Sequence, residues 1–559
     1  MSQIPNMSNL PGNQENNLKF NPPMQGSQNI SSILNTIEEY KSKEDKMKEK
    51  AEDRIKTFIN EEDQEDIKRK RDQNQDKLRK GQREKYIQSK RDYERIDTGT
   101  SEQNMSNKFS EITFTMNHLP ELARCIASND EEKIYFGTYG IRKILAIEGA
   151  SPIQEVIDAN IVPRLLELVT CNKPHIQFEA AWCLTNIATG TTEQTQCLTD
   201  KGAIPKFIEL LHSPLDNIKD QAIWALGNIA GENTVFRNQV LNAGFLDPLL
   251  EILFSTKSFS IKKNGTLALS NLCRGKPSPP FQKLSKAIPV LVNLIINSEE
   301  REILLDSCWT LSYLSDGGGN ESKGKEIMNY PQIFKRLVEL LDNQNLGIVL
   351  PALRIMGNVI TGNDEQTQIV VDAGIVAPLS RLLDNPKPAI RKEAAWSISN
   401  ITAGNAKQIE EIIKNGVIQR LIKLVETDLF DIKRESIWAL SNSTSASSLE
   451  QTKFLLDSGI INSLCIMMRA QDARTLAITL EGVENLLKKG KESFVKNGIN
   501  LIAYEFEKLG GLDSLEALQK HQNIHIYKKS LKLIEEYYGI DESANLNSNP
   551  SEKPSIFKF

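Results

Sequence analysis

An indole and a carboxamide four residues apart recur along this chain at a nearly fixed interval. The pairs are Trp182/Asn186, Trp224/Asn228, Trp396/Asn400 and Trp438/Asn442. Asn271, Tyr313 and Asn358 hold the amide slot in between. Side chains four apart on a helix lie on one face, one turn above the other. A carboxamide offers two donors and an acceptor, enough to bracket the peptide groups of an extended backbone. An indole beside it can flank the methylene stem of a lysine, with a cation–π gain of ~0.5–2 kcal/mol. The chemistry on offer is recognition of an extended, lysine-rich peptide. The plainer alternative makes the indoles core and lets each amide bond the neighbouring repeat. Four of the five Trp share one slot, whereas core positions drift to Leu or Phe, so recognition is favoured.

Acids stand where such a ligand would want them. Glu232 follows Asn228 by one turn and Glu435 precedes Trp438 by one turn, with Asp306, Asp316 and Asp364 in comparable places. As a row they would steer lysines and arginines toward the ladder. The ladder is interrupted by Tyr313 in the amide slot and Arg354 in the next indole slot. Two binding stretches are therefore expected, over 182–271 and 358–442, suited to two basic clusters joined by a spacer.

The elements that carry these residues must repeat. The amide slot falls at 186, 228, 271, 313, 358, 400 and 442, the roughly 40–47-residue step of armadillo and HEAT arrays. In the unit 202–232, Gly202 ends one helix and Pro205 opens the next, where its missing N–H costs nothing. Ile204, Phe207, Ile208, Leu210 and Leu211 keep helical spacing. A polar turn with Pro214 then leads into the long helix of Trp224 and Asn228. Strand signals are absent by this reading.

The organisation expected is a disordered segment 1–30, a basic arm 31–97, a flexible linker 98–110, a helical array 111–539 and a disordered tail 540–559. Net charge is −5, unevenly spread. Between Lys68 and Arg95 twelve Lys/Arg face five Asp/Glu, a balance of +7 that leaves −12 for the rest. A basic arm and an acidic body on one chain attract each other.

No apolar run approaches the ~20 residues of a membrane span, and the N-terminus lacks the pattern of a secretory signal. The seven Cys form no CxxC pair, which suggests a reducing compartment and neither a disulfide framework nor a metal site. Cys183, Cys273 and Cys308 lie in apolar helical stretches and read as inert core thiols. No phosphate-binding loop, HExxH or Gly-x-Ser-x-Gly is present, and the five His show no partner spacing. The reading is of a protein that is not an enzyme and needs no cofactor. An adhesion or signalling armadillo scaffold is the rival, but such arrays typically carry basic grooves. Direct nucleic-acid binding by the arm has only Tyr86 and Tyr93 as stacking aromatics.

Six segments carry a resemblance to importin alpha (karyopherin alpha), the receptor for nuclear localisation signals. They are AAWCLTNIATGTTEQT (180–195), QAIWALGNIAGE (221–232), SNLCRGK (270–276), DSCWTLSYLSD (306–316), PALRIMGNVITGND (351–364) and EAAWSISNITAG (393–404). The likeness runs from about residue 50 to 542. It implies an all-α superhelical solenoid of about ten armadillo repeats behind an importin-beta-binding arm. The family's major signal site carries over onto Trp182, Asn186, Gly190, Thr195, Gln221, Trp224, Asn228, Glu232 and Asn271. Its minor site carries over onto Arg354, Asn358, Thr361, Trp396, Asn400, Glu435, Trp438 and Asn442.

The arm resembles the family's importin-beta-binding segment at Lys68, Arg69, Lys70, Arg71, Arg79, Lys80, Lys90 and Arg91. In the family this arm also folds back over the groove as a signal mimic. LEALQKH and IYKKSLKLIEEYYG resemble the last repeat, where a Ran-dependent exporter binds. Nucleocytoplasmic shuttling is implied. Three departures stand out. Leu267 replaces the expected third Trp of the major site, which implies a weaker lysine pocket. Ser89-Lys90-Arg91 replaces a Lys-Arg-Arg mimic, which implies weaker autoinhibition. The tail has little beyond Asp541-Glu542 in place of a longer acidic run.

Overall fold

A computed structural model describes residues 109, 112–147, 151–316 and 321–539, all within one unit that runs from Ile87 to Phe559. The segments 1–30 and 31–97, the arm residues Lys68 to Arg91, all but Phe109 of 98–111, and the tail 540–559 lie outside the described residues.

Ten long helices carry the ladder. The first five are α1 (Glu131–Leu145), α2 (Pro174–Ile187), α3 (Asp216–Glu232), α4 (Phe259–Cys273) and α5 (Arg301–Ser315). The others are α6 (Leu346–Ile360), α7 (Pro388–Thr402), α8 (Phe430–Ala446), α9 (Ala473–Ser493) and α10 (Ile524–Tyr538). Each packs on the next from α1 to α10. Behind each lies a shorter helix with an apolar stripe, such as Ala203–Leu210 behind α3 and Val417–Thr427 behind α8. From the second unit on, a third short helix opens the unit, as Thr192–Asp200 does ahead of α3. The buried Leu, Ile, Val and Phe form one hydrophobic cluster from Phe114 to Leu533. A core of this kind grows by adding units, because each unit covers only its neighbours.

Local chemistry sets the boundaries. Pro174 and Pro388 open α2 and α7 at the first turn. Gly202 adopts φ +81°, the left-handed region that a side chain resists, and turns the chain into Ala203–Leu210. The turn out of a ladder helix is a repeated capping box. Thr191 with Gln194, Asn363 with Gln366, Asn405 with Gln408 and Ser448 with Gln451 exchange side-chain and backbone bonds. At Gly190 a Cβ would collide with the Gln194 amide that closes the box.

The solenoid of about ten repeats agrees with the sequence reading, and two details differ. Among the described residues the packing already includes Phe109, whose ring meets Tyr135, Phe136 and Tyr139 ahead of the array start expected at 111. A small hairpin pairs Val495–Lys496 with Ile499–Asn500. Its two-residue strands are too short to alternate, but Asn497 and Gly498, both at positive φ, are the turn signal for such a hairpin.

The expected core thiols are buried. Burial pushes Cys308 up to about 12 and Cys273 and Cys183 well above the ordinary thiol range, so none is a nucleophile near neutrality.

Candidate functional site

Because α2 to α8 stack in sequence order, one slot per helix becomes one row across the array. Trp182 and Asn186 sit on α2, Trp224 and Asn228 on α3, Asn271 on α4, Arg354 and Asn358 on α6, Trp396 and Asn400 on α7, and Trp438 and Asn442 on α8. The row is more complete than the sequence reading had it. Trp309 of α5 precedes Tyr313 by the same four residues and its ring stacks on Tyr313, centroids 6.1 Å apart and 25° between planes. All five Trp therefore occupy one slot, and Leu267 and Arg354 are the exceptions.

The amides divide into two groups. Three are anchored across a repeat boundary. Asn271 Nδ2 donates to the Gly227 carbonyl at 2.9 Å, Asn358 Nδ2 to the Ser312 carbonyl at 3.2 Å and Ser315 Oγ at 2.9 Å, and Asn442 Nδ2 to the Ser399 carbonyl at 2.9 Å. Each such bond fixes the amide plane and leaves an acceptor oxygen for something else. Asn400 bonds its own helix, at the Trp396 carbonyl. Asn186 is different: it is buried and neither its Nδ2 nor its Oδ1 finds a partner. The same holds for Asn228 Nδ2, Gln221 Oε1 and Thr195 Oγ1. Buried polar atoms are costly when unpaired, so these atoms are candidates for bonding to water or to a ligand.

The indoles divide as well. Trp182, Trp224 and Trp309 are buried, whereas Trp396 and Trp438 are half-buried. A slot three residues before the indole holds Glu179, Gln221, Asn264, Asp306, Pro351, Glu393 and Glu435. Sequence reasoning found Glu435 and Asp306 but missed Glu179 and Glu393, which share Glu435's spacing. Glu393 accepts from Arg354 Nε at 3.1 Å, and the Arg354 guanidinium lies 5.5 Å from the Trp309 ring centre. Glu435 accepts from Arg434 at 3.1 Å.

The other expected acids do not form a single row. Glu232 ends α3 and accepts from Thr192 Oγ1 at 2.8 Å. Asp316 follows α5, and Asp364 is exposed at the start of the short helix Asp364–Asp372, where it faces the Asn405 amide. Gly190 shapes the capping turn after α2. Thr361 is exposed just beyond α6 and bonds the Asn358 carbonyl at 2.7 Å. The arrangement can hold an extended cationic peptide, and no group of three or more metal-ligating side chains occurs among the described residues.

Stacked three-helix units with a Trp/Asn row define an armadillo-repeat solenoid. Armadillo/beta-catenin-like repeat models match 150–189, 191–231, 282–316, 363–403 and 405–442. An atypical Arm repeat model matches 500–551, and an importin beta binding domain model matches 54–138. Importin subunit alpha-B of Dictyostelium discoideum is 45% identical over 478 residues, covering 85% of this chain and 91% of that protein. Importin subunit alpha-3 of Arabidopsis thaliana is 38% identical over 502 residues, covering 89% and 94%. A crystal structure of an engineered protein superposes with a TM-score of 0.65 at 26% identity, over 75% of this chain and 98% of that one.

The chain belongs to the importin alpha family. It is a nuclear import adaptor that binds importin beta and takes cargo with basic nuclear localisation signals.

Proposed function

We propose that cargo signals bind along the Trp/Asn row at two separate stretches. The first is centred on Trp182, Asn186, Gln221, Trp224, Asn228 and Asn271, with Glu232, Gly190 and Thr195 shaping its rim. The second uses Asn358, Trp396, Asn400, Glu435, Trp438 and Asn442, with Arg354 and Thr361 at its entry. The observation that carries this reading is the cluster of buried, unpaired amide atoms at Asn186, Gln221 and Asn228. They supply donors and acceptors on two successive ladder helices, and indoles on the same helices are there for lysine stems.

The basic arm at 68–71, 79–80 and 90–91 is the importin-beta ligand and, when importin beta is absent, a competitor for the same row. Its attraction to the body follows from the +7 of residues 68–95 and the net −6 of residues 98–559. The last helices, Gly511–Leu518 and α10, are the surface for a Ran-dependent exporter. The chain shuttles between cytoplasm and nucleus and catalyses no reaction. The test is fluorescence anisotropy with a single-cluster lysine-rich peptide. Replacing Asn186 and Asn228 together by Ala should weaken binding. Unchanged affinity in a variant that melts like the parent would overturn the assignment.

A further inference from the structure

The end of the row beside α1 is already occupied by the chain itself. Arg142 leaves α1 and its Nε donates to Glu179 Oε2 on α2. Its guanidinium carbon stands 4.5 Å from the Trp182 ring centre and 4.9 Å from that of Tyr139. The Arg142 and Glu179 side chains are only 11% and 6% exposed. Phe178 closes on Trp182 from another side, edge-on at 5.4 Å and 76°. Lys143 adds a second cation 5.6 Å from the Tyr139 ring centre.

This is the arrangement a ligand lysine would make at the other end of the row. The matching slot holds Glu393, which accepts from Arg354, and Glu435, which accepts from Arg434, so a carboxylate with an internal cation recurs along the row; at Glu179 that cation also lies against the indole three residues on. At Trp182 the cation is covalently part of the protein. Burial disfavours the charged guanidinium, but the Glu179 carboxylate outweighs that and holds the pKa above even its ordinary high value. A second cation entering this desolvated place would meet a fixed like charge, and Glu179 is already neutralised.

We infer that Arg142 is a specificity-determining residue, an internal cation that ends the signal site at Trp182 and limits how many lysines a cargo cluster can seat. This rests on the reading of the Trp/Asn row as the signal site. Removing Arg142 uncovers one face of Trp182 and leaves Glu179 without its partner, which together make an additional lysine pocket.

The test compares three peptides, a short lysine cluster and the same cluster extended by one Lys at one end or at the other. In the parent protein the three should bind alike. Arg142→Ala should favour one of the extended peptides over the short one by about 2- to 30-fold, the range of a cation–π contact. Arg142→Lys should restore the parent's ratio. A purely structural role predicts an equal loss for all peptides, and that result overturns the inference. Arg142→Gln removes the cation, leaves the Glu179 carboxylate in place with a neutral hydrogen-bond donor beside it, and serves if Arg142→Ala does not fold. It too should raise the ratio, and an unchanged ratio overturns the inference. Asn228→Ala separates the two levels of argument. If it weakens the short peptide while the Arg142 variants leave the ratio fixed, only the role of Arg142 fails. If it leaves the short peptide unaffected, the site assignment itself fails.

Discussion

The amide is the working residue of this protein, and its two states explain its position in an apolar helix. Where Nδ2 bonds the preceding repeat, as at Asn271 and Asn442, the side chain is oriented before any ligand arrives. Where both amide atoms are unpaired, as at Asn186, the cost of burial is recovered only on binding. Asn186→Ala and Asn228→Ala should each weaken a single-cluster signal by roughly 1–2 kcal/mol, read as a change in Kd. Leu267 gives a test in the opposite direction. It is half-buried in the slot that holds Trp on α2, α3, α5, α7 and α8. Leu267→Trp should tighten the same peptide by ~0.5–2 kcal/mol; no gain would mean that the slot on α4 faces no lysine. The four-residue interval made most of these residues legible. Trp309 obeys it and was missed because Tyr313 replaced the amide that drew attention to the other pairs. Arg142 was illegible from its own helix because its partner lies 37 residues away on the next one; the pairing shows only when it is set beside that of Arg354 with Glu393 between α6 and α7.

Helices and their junctions hold the row in register. Between α7 and α8, Arg391 grips Asp428 with both nitrogens, at 2.7 and 2.8 Å. Burial alone would raise the Asp428 pKa, but hydrogen bonds from Arg391 and the Leu429 N–H outweigh it and leave the carboxyl below its ordinary 3.8. A carboxyl with a depressed folded pKa contributes stability above its unfolded pKa and loses it as pH falls through the folded value. Glu484, held low against its burial by Lys529 and Lys532 of α10, follows the same sign. Thermal melting should therefore fall as pH drops below about 4, and Asp428→Asn should flatten part of that acid limb. The substitution should also cost about 1.5–3 kcal/mol near neutrality, because the half-buried Arg391 guanidinium loses its carboxylate and keeps only the Asn385 and Pro386 carbonyls. A melting curve with an unchanged acid limb would show that this junction does not titrate. Helix ends were legible from Gly and Pro, as at Gly202 and Pro205, whereas the capping boxes emerged only from the structure. The hairpin at 495–500 was not, because strands of two residues show no alternation.

At the scale of the molecule, the two proposed stretches on one array would make a bivalent receptor. Peptides with two lysine clusters should bind ~10²–10⁴-fold more tightly than either half once the spacer can reach. A titration in which no spacer length improves on the tighter half would remove the second stretch. As the proposed competitor, the arm would act intramolecularly, at an effective concentration on the order of millimolar. Deleting residues 1–97 should abolish importin-beta binding and raise cargo affinity modestly, since Ser89 stands where the family's mimic has Lys. Equal affinity of truncated and full-length chains at low salt would make the arm a docking segment alone. The fold and the charge asymmetry were readable from periodicity and counting. How the arm engages the row was not, because a sequence gives the competitor's composition but no geometry for it.

The order of packing has one more consequence. Each ladder helix from α1 to α10 rests on its sequence neighbour, so a load applied at one end passes through every junction in series. Small rotations at nine junctions add up to a large change in end-to-end distance, and the molecule behaves as a spring. Once a junction gives way, one unit of roughly 40–47 residues is released, at ~3.5 Å per residue. Pulled from its ends, the array should first lengthen smoothly and then yield in steps of about 150 Å. An extended cargo peptide bonded across several rungs lies in parallel with those junctions, so a loaded adaptor should be measurably stiffer than an empty one.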